Sequence, residues 1–149
     1  MTDNYENVFD DDIKCISNEL REFHTELEGT RILIAGGKGF LGTYFTNVLT
    51  KINEELSKPM KIIVLDSLIT SKDKKNYEDD NIEFLEQDIS QKFDIKGNVD
   101  YIIHAASIAS PPTYRKFPIK TIDVNYQGTR NLLEIAKMKK ITSMLLLSS

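Results

Sequence analysis

Seven residues constrain this chain more than any others: Gly36-Gly37-Lys38-Gly39-Phe40-Leu41-Gly42. They stand between an apolar run, Arg31-Ile32-Leu33-Ile34-Ala35, and a stretch with helical spacing. A strand covered on both faces reads as such a run. In the stretch that follows, Phe40, Leu41, Tyr44, Phe45, Val48, Leu49, Ile52 and Leu56 fall on one side of a helix, and Pro59 marks its end. Strand, glycine turn and helix together let a diphosphate sit against a helix N-terminus, where backbone N–H groups lack partners. Two registers fit. Gly37, Gly39 and Gly42 match G-x-G-x-x-G, and Gly36, Gly39 and Gly42 match G-x-x-G-x-x-G. In either, one glycine permits the turn, another admits the phosphates, and Gly42 lets helix and strand pack closely.

A second buried strand, Lys61-Ile62-Ile63-Val64-Leu65-Asp66, closes on a carboxylate. Asp66 lies about 20 residues beyond the turn, where an acid meets the adenosine ribose of a dinucleotide. A carboxylate there accepts from the ribose hydroxyls and repels a 2′-phosphate, so NAD is expected over NADP. Lys72, on the polar loop of residues 67–80, could pair with a 2′-phosphate and keeps the NADP reading open.

The pattern then repeats. Ile82-Glu83-Phe84-Leu85-Glu86 reads as a third strand followed by Asp88, and Tyr101 to Ala106 as a fourth. The connection between them has room for one turn of helix. A proline-containing loop spans Ser107 to Pro118. A long helix is expected from Ile119 to Lys140, with Ile122, Leu132, Leu133, Ile135 and Ala136 as buried candidates, and a fifth strand from Ile141 to Leu147. Alternating helices and apolar strands define an α/β fold, a Rossmann-type doubly wound parallel sheet.

Before this unit stands an amphipathic helix. Residues 1–8 are polar and expected to fray. Phe9, Ile13, Ile16, Leu20, Phe23 and Leu27 form one stripe; Asp10, Asp11 and Asp12 complement the dipole at its start, and Gly29 stops it. The expected division is a helical extension over 1–29 and a dinucleotide domain over 30–149. The helix either packs on its own domain or pairs with a partner subunit.

The net charge of −4 argues against nucleic acid as a partner, because phosphate neutralisation needs clustered Lys and Arg. The short run Lys72 to Lys75 reads as a solvated loop. One cysteine, Cys15, allows no intrachain disulfide. The acidic N-terminus lacks the pattern of a signal peptide, and no apolar stretch approaches the ~20 residues that span a bilayer. A cytoplasmic protein is expected, without membrane or metal.

The glycine turn, Asp66, Asp88-Ile89, His104-Ala105-Ala106-Ser107 and Asn125 together resemble the extended short-chain dehydrogenase/reductase superfamily, over residues 30–149. The stretch Ala106-Ser107-Ile108-Ala109-Ser110-Pro111-Pro112-Thr113-Tyr114, followed by Pro118-Ile119-Lys120-Thr121, is similar to UDP-glucuronate decarboxylases and related nucleotide-sugar 4,6-dehydratases. The resemblance implies a role for each position. Gly36, Gly39, Phe40, Leu41 and Gly42 would hold the pyrophosphate of NAD. Asp66 and Ser67 would hold the adenosine ribose, and Asp88 and Ile89 would border the adenine. Ala105, Ala106 and Ser107 would line the nicotinamide half. Tyr114 would lie near a nucleotide-sugar substrate, and Asn125 would face the active site from the long helix. Ser149, or else Ser148, would be the catalytic hydroxyl on the reacting sugar. His104 reads as a packed or hydrogen-bonded strand residue. Lys38, Gly37 and Ser67 depart from the commoner residues of the family. The intact enzyme would be a homodimer.

The same family uses a Tyr with a Lys four residues later, the tyrosine taking a hydroxyl proton as the sugar's fourth carbon is oxidised. Four residues after Tyr5, Tyr44, Tyr77, Tyr101, Tyr114 and Tyr126 stand Phe9, Val48, Asn81, Ala105, Pro118 and Arg130. The chain is therefore expected to be the N-terminal portion of a longer enzyme, inactive alone, that works through a 4-keto sugar. A 4-epimerase and a non-catalytic NAD-binding module are the alternatives.

Overall fold

The computed structural model describes residues 3–70 and 77–147. Lys72, Ser148 and Ser149 lie outside the described residues. Five parallel strands form one sheet: β1 (Arg31–Ala35), β2 (Lys61–Asp66), β3 (Ile82–Glu86), β4 (Tyr101–His104) and β5 (Ser143–Leu146), in the order β3-β2-β1-β4-β5. Chain order runs outward from β1 to one edge and then crosses to β4 on its other side. That reversal leaves a crevice beyond the carboxyl ends of β1 and β4, where open α/β sheets bind ligands.

Residues alternate between the two faces of each strand; β3 and β5 are only partly buried, whereas both faces of the central β1 and β2 are covered. Ile32, Ile34, Ile62 and Val64 meet Val48, Leu49 and Ile52 of helix α3 (Phe40–Asn53), with Ile13 of helix α1 (Asp3–Glu19) in the same layer. Leu33, Ala35, Ile63, Leu65 and Ile102 meet Leu132 and Ile135 of helix α6 (Thr129–Lys139), with Ile95 and Val99. This two-sided burial is why these strands carry unbroken apolar runs.

Several expected boundaries move. The N-terminal helix begins at Asp3 instead of fraying to residue 8, so Asp10, Asp11 and Asp12 lie within it. It stops at Glu19 and is followed by a 3-10 turn (Arg21–Phe23) and a short helix α2 (His24–Leu27). Leu20 and Phe23 both take ψ near zero, which bends the chain twice. The six-residue stripe is thereby divided: Ile13 is buried, while Ile16 and Phe23 are exposed. α1 packs on α3, with the Phe9 and Tyr44 rings edge to face at 4.8 Å and the Tyr44 hydroxyl donating to Asp12 Oδ2 at 3.1 Å.

The proline loop contains a helix, α4 (Pro111–Lys116). Proline breaks a helix interior but suits the first turn, where its missing N–H has no intrahelical role. Phe117 interrupts, and Pro118 starts α5 (Pro118–Asp123). The long helix is therefore α5, a π-helical turn (Val124–Gly128) and α6. The wider turn rotates the helix face. Leu132 and Ile135 are buried, but Ile122 and Leu133 are 61% and 53% exposed. β4 ends at His104, two residues early: the Ala105 N–H still donates to Ala35 O at 2.9 Å, and the Ala106 backbone then turns against Gly36.

Candidate functional site

Gly36 follows β1 with φ +80°, in the left-handed region that side chains resist. A Cβ there would lie 2.6 Å from the Ala106 backbone. A Cβ on Gly42 would lie 2.0 Å from the Gly36 carbonyl oxygen. A Cβ on Gly37 would lie 2.4 Å from Val64 Cγ1, so Gly36, Gly37 and Gly42 are all held free of side chains and both glycine registers are compatible with the turn. Gly39 caps α3 with extended backbone, and no side chain caps that end. The first-turn N–H groups of Phe40, Leu41 and Gly42 have no carbonyl within the helix to meet. A cradle that any Cβ would fill, beside an uncapped helix start, fits a pyrophosphate.

Gly36 and Gly39 open onto a cleft of ≈ 490 Å³. Asp66 and Ser67, at the end of β2, Asp88 and Ile89, which follow β3, and Ala105, Ala106 and Ser107, which follow β4, line it. The structure thus gathers most of the residues singled out in the sequence. It adds Ile69, Thr70, Gln87 and Val124, which carried no motif signal, and Ile108, which lay within the Ala106–Tyr114 stretch without a role of its own.

Both carboxylates of the cleft are held by the chain itself. Asp66 Oδ2 accepts the Lys38 N–H at 3.0 Å and Oδ1 accepts the Leu68 N–H at 2.8 Å. One side chain thus ties the glycine turn to the turn after β2, with acceptor capacity to spare. Asp88 Oδ1 accepts the Ser90 N–H at 3.0 Å and the Ser90 hydroxyl at 2.7 Å, while Oδ2 pairs with Lys120 of α5. Partial burial raises the Asp88 pKa, but the Lys120 ammonium and the Ser90 bonds outweigh it and hold the carboxyl below the ordinary range. Asn131 of α6 clamps the same turn, donating to Ile89 O at 2.7 Å and Gln91 O at 2.9 Å. Lys120 and Asn131 had no sequence signal for this position, since their partners lie about 30 to 40 residues away.

A second depression, ≈ 560 Å³, adjoins the first and shares Ala106 and Ser107 with it. Asn125, His104 and Thr129 also line it. Thr129 Oγ1 donates to the Asn125 carbonyl at 2.6 Å, and His104 Nε2 lies 2.9 Å from that hydroxyl. A hydroxyl has one proton, so a Thr129 that donates must accept from an Nε2–H. His104 Nδ1 is then a bare acceptor, and it is buried without a partner. Burial also pushes the His104 pKa down. The sequence reading of His104 as a hydrogen-bonded strand residue is what the structure has.

Three expected site residues sit apart. Tyr114, on α4, lines neither depression. Phe40 is 78% exposed and packs edge to face on Tyr44 at 5.4 Å; its side chain lines a depression on the outer side of α3 with Phe9. Leu41 is also exposed. Neither side chain lines the cleft, which leaves Phe40 and Leu41 their main-chain N–H groups to offer it.

This arrangement defines a Rossmann-type dinucleotide domain, and comparison with known proteins agrees. Residues 32–149 match the NAD dependent epimerase/dehydratase family, and the chain belongs to that family, whose cofactor is NAD. It is 38% identical over 132 residues to UDP-glucuronic acid decarboxylase 1 of Danio rerio, covering 86% of this chain and 29% of that protein. It is 38% identical over 122 residues to UDP-glucuronic acid decarboxylase 5 of Arabidopsis thaliana, covering 80% of this chain and 33% of that one. The chain thus spans about a third of the curated relatives it matches. Among solved structures, the epimerase Mth375 of Methanothermobacter thermautotrophicus superposes with a TM-score of 0.72 at 28% identity, over 87% of this chain and 38% of that chain. The Bordetella bronchiseptica enzyme WbmF, solved with NADH, shares the fold with a TM-score of 0.69 at 19% identity, over 81% of this chain and 36% of that chain. No helix among the described residues is long and apolar enough to cross a membrane.

Proposed function

We propose that this chain is the cofactor-binding part of a nucleotide-sugar lyase, of the UDP-glucuronate decarboxylase or 4,6-dehydratase type. The observation that carries the cofactor half is one cleft that joins the Gly36-Gly42 cradle to the Asp66 carboxylate. Gly36, Gly39 and the main chain of Phe40, Leu41 and Gly42 bind the pyrophosphate. Asp66 orients the adenosine ribose, with Ser67 beside it. Asp88 accepts from the adenine amine, and Ile89 packs the ring. Ala105, Ala106 and Ser107 wall the nicotinamide half, and Asn125 meets the reacting end. NAD, when bound, supplies the hydride acceptor for the sugar's fourth carbon. Tyr114 and the hydroxyl of Ser149 or Ser148 are assigned to the sugar by resemblance.

The lyase reading draws its support from the named decarboxylases at 38% identity and from the Ser110-Pro111-Pro112-Thr113-Tyr114 loop. A 4-epimerase would share the first oxidation. A non-catalytic NAD-binding module is favoured by one observation: no Tyr of this sequence has a Lys four residues on. On either reading the 149-residue chain binds NAD and does not turn over. Residues 1–29 form an extension to a dinucleotide domain over 30–149. The intact protein works as a cytoplasmic homodimer on a UDP- or dTDP-sugar.

Calorimetric titration with NAD and NADP tests the cofactor assignment. NAD should bind and NADP should bind much more weakly. Equal affinity for the two would remove the role given to Asp66. Product analysis with UDP-glucuronate and with dTDP-glucose, on protein that carries a Tyr-x-x-x-Lys, separates decarboxylase from dehydratase.

A further inference from the structure

α4 and α5 bury no residue of their own, yet they carry Tyr114 and run beside the cleft wall. α5 continues into the π-helical turn through the buried Val124, and among the described residues the polar side-chain link from these two helices to another element is made by Lys120. Lys120 of α5 pairs with Asp88 Oδ2, and its Nζ also lies 3.3 Å from Ser90 Oγ. Lys120 does not line the cleft; Asp88 does. It stands behind the carboxylate instead of inside the site.

A carboxylate offers about four acceptor positions. The two Ser90 donors occupy Oδ1, and Lys120 occupies one position on Oδ2. One position remains, on the oxygen that Lys120 holds. Without the ammonium, the carboxylate would be fixed through Oδ1 alone and Oδ2 could swing.

We propose that Lys120 is a positioning residue of the cofactor site, fixing Asp88 Oδ2 so that its remaining acceptor position meets the exocyclic amine of an adenine. This rests on the reading of the cleft as an NAD site, with Asp88 at its adenine end. The ammonium acts through Asp88 and touches no part of the ligand. Its effect is therefore confined to the adenosine half.

The test compares K120M, K120R and the unaltered 149-residue chain in binding NAD, AMP and nicotinamide mononucleotide. Calorimetry follows NAD, and ligand-observed NMR follows the two halves. K120M should weaken NAD and AMP about tenfold, the scale of a charge-assisted hydrogen bond, and leave nicotinamide mononucleotide unchanged. K120R, which keeps charge and reach, should restore AMP binding. Four results overturn the proposal. K120M may bind NAD as well as the unaltered chain does, or more tightly, which would make Lys120 a competitor of the amine. AMP and nicotinamide mononucleotide may weaken together, which would mark a general loss of fold. K120R may bind AMP as poorly as K120M. Failure of the unaltered chain to bind NAD is a separate result, which removes the cofactor reading and this inference with it.

Discussion

The two ends of the crevice are finished to different degrees. At the end formed by Asp66 and Asp88 every carboxylate oxygen has a donor from the chain: Lys38 and Leu68 for Asp66, Ser90 and Lys120 for Asp88. At the other end His104 Nδ1 is buried without a partner, Tyr114 stands away from the cleft, and Leu145 and Leu146 of the outermost strand are exposed. A preformed half loses little freedom when a ligand arrives, which is how preorganisation raises affinity. The contrast teaches that this chain can organise half a dinucleotide site from its own side chains. The end at His104 holds a polar atom that no described residue satisfies.

The largest expected break in that contrast comes from the glycine cradle. Gly42→Ala puts a methyl carbon 2.0 Å from the Gly36 carbonyl oxygen, so backbone must move. We expect a loss of about 3 kcal/mol of stability, at the top of the range for overpacking. NAD binding should disappear with it. Urea unfolding and calorimetry check the two; a variant that unfolds like the parent and binds NAD would contradict the cradle.

Asp66→Asn comes next. It keeps the shape of the side chain and removes the charge that meets the ribose. NAD should weaken about tenfold, as loss of a charge-assisted hydrogen bond would give. NADP should gain on it because the repulsion of a 2′-phosphate is gone. If paired titrations show the ratio of the two affinities unmoved, Asp66 does not select the cofactor. Thr129→Val should act at the other end. It removes the hydroxyl between the Asn125 carbonyl and His104, at a cost of about 1–2 kcal/mol for the groups left unpaired. AMP affinity should stay at the parent value, since the adenosine half does not use this bond. Equal losses for AMP and nicotinamide mononucleotide would merge the two ends into one unit.

Most of the sheet was legible before the structure, and the reason is local. β1 and β2 carry apolar runs bounded by polar or glycine residues, and β3, though broken by Glu83, stands between the polar Asn81 and Gln87, so their limits follow from the residues alone. The glycine turn and Asp66 were legible because the strand-turn-helix context is continuous in sequence. What stayed hidden depends on distant partners. Pro111 and Pro112 read as loop, although they suit the first turn of α4. The π-helical turn at Asn125 is accompanied by a bond from Thr129 and a contact to His104, 25 residues apart. The Lys120 to Asp88 pair and the Asn131 clamp join separate elements in the same way. Ala105 and Ala106 extend the apolar pattern of β4 but belong to the cleft wall, an error that periodicity alone cannot correct.

The smallest effect is a pair of pH windows that separate the two ends. Burial holds the His104 pKa below its ordinary value of 6.5, so the unfolded chain binds this proton more readily than the folded one. The resulting stability is present in full above 6.5 and is lost as pH falls from there toward the folded value. Asp88 is likewise held below its ordinary 3.8, by Lys120 and Ser90 against the effect of burial. Its contribution is intact above 3.8 and disappears only as pH drops through its lower folded value. Acidification should therefore weaken the end at His104 first. His104→Gln should flatten the stability profile just below pH 6.5 and leave the steeper acid limb in place, whereas Lys120→Met should change the acid limb alone. Urea midpoints measured at closely spaced pH values read both windows. A His104→Gln profile that still falls just below pH 6.5 as the parent does would assign that window to another group and leave the buried imidazole without a measurable part in it.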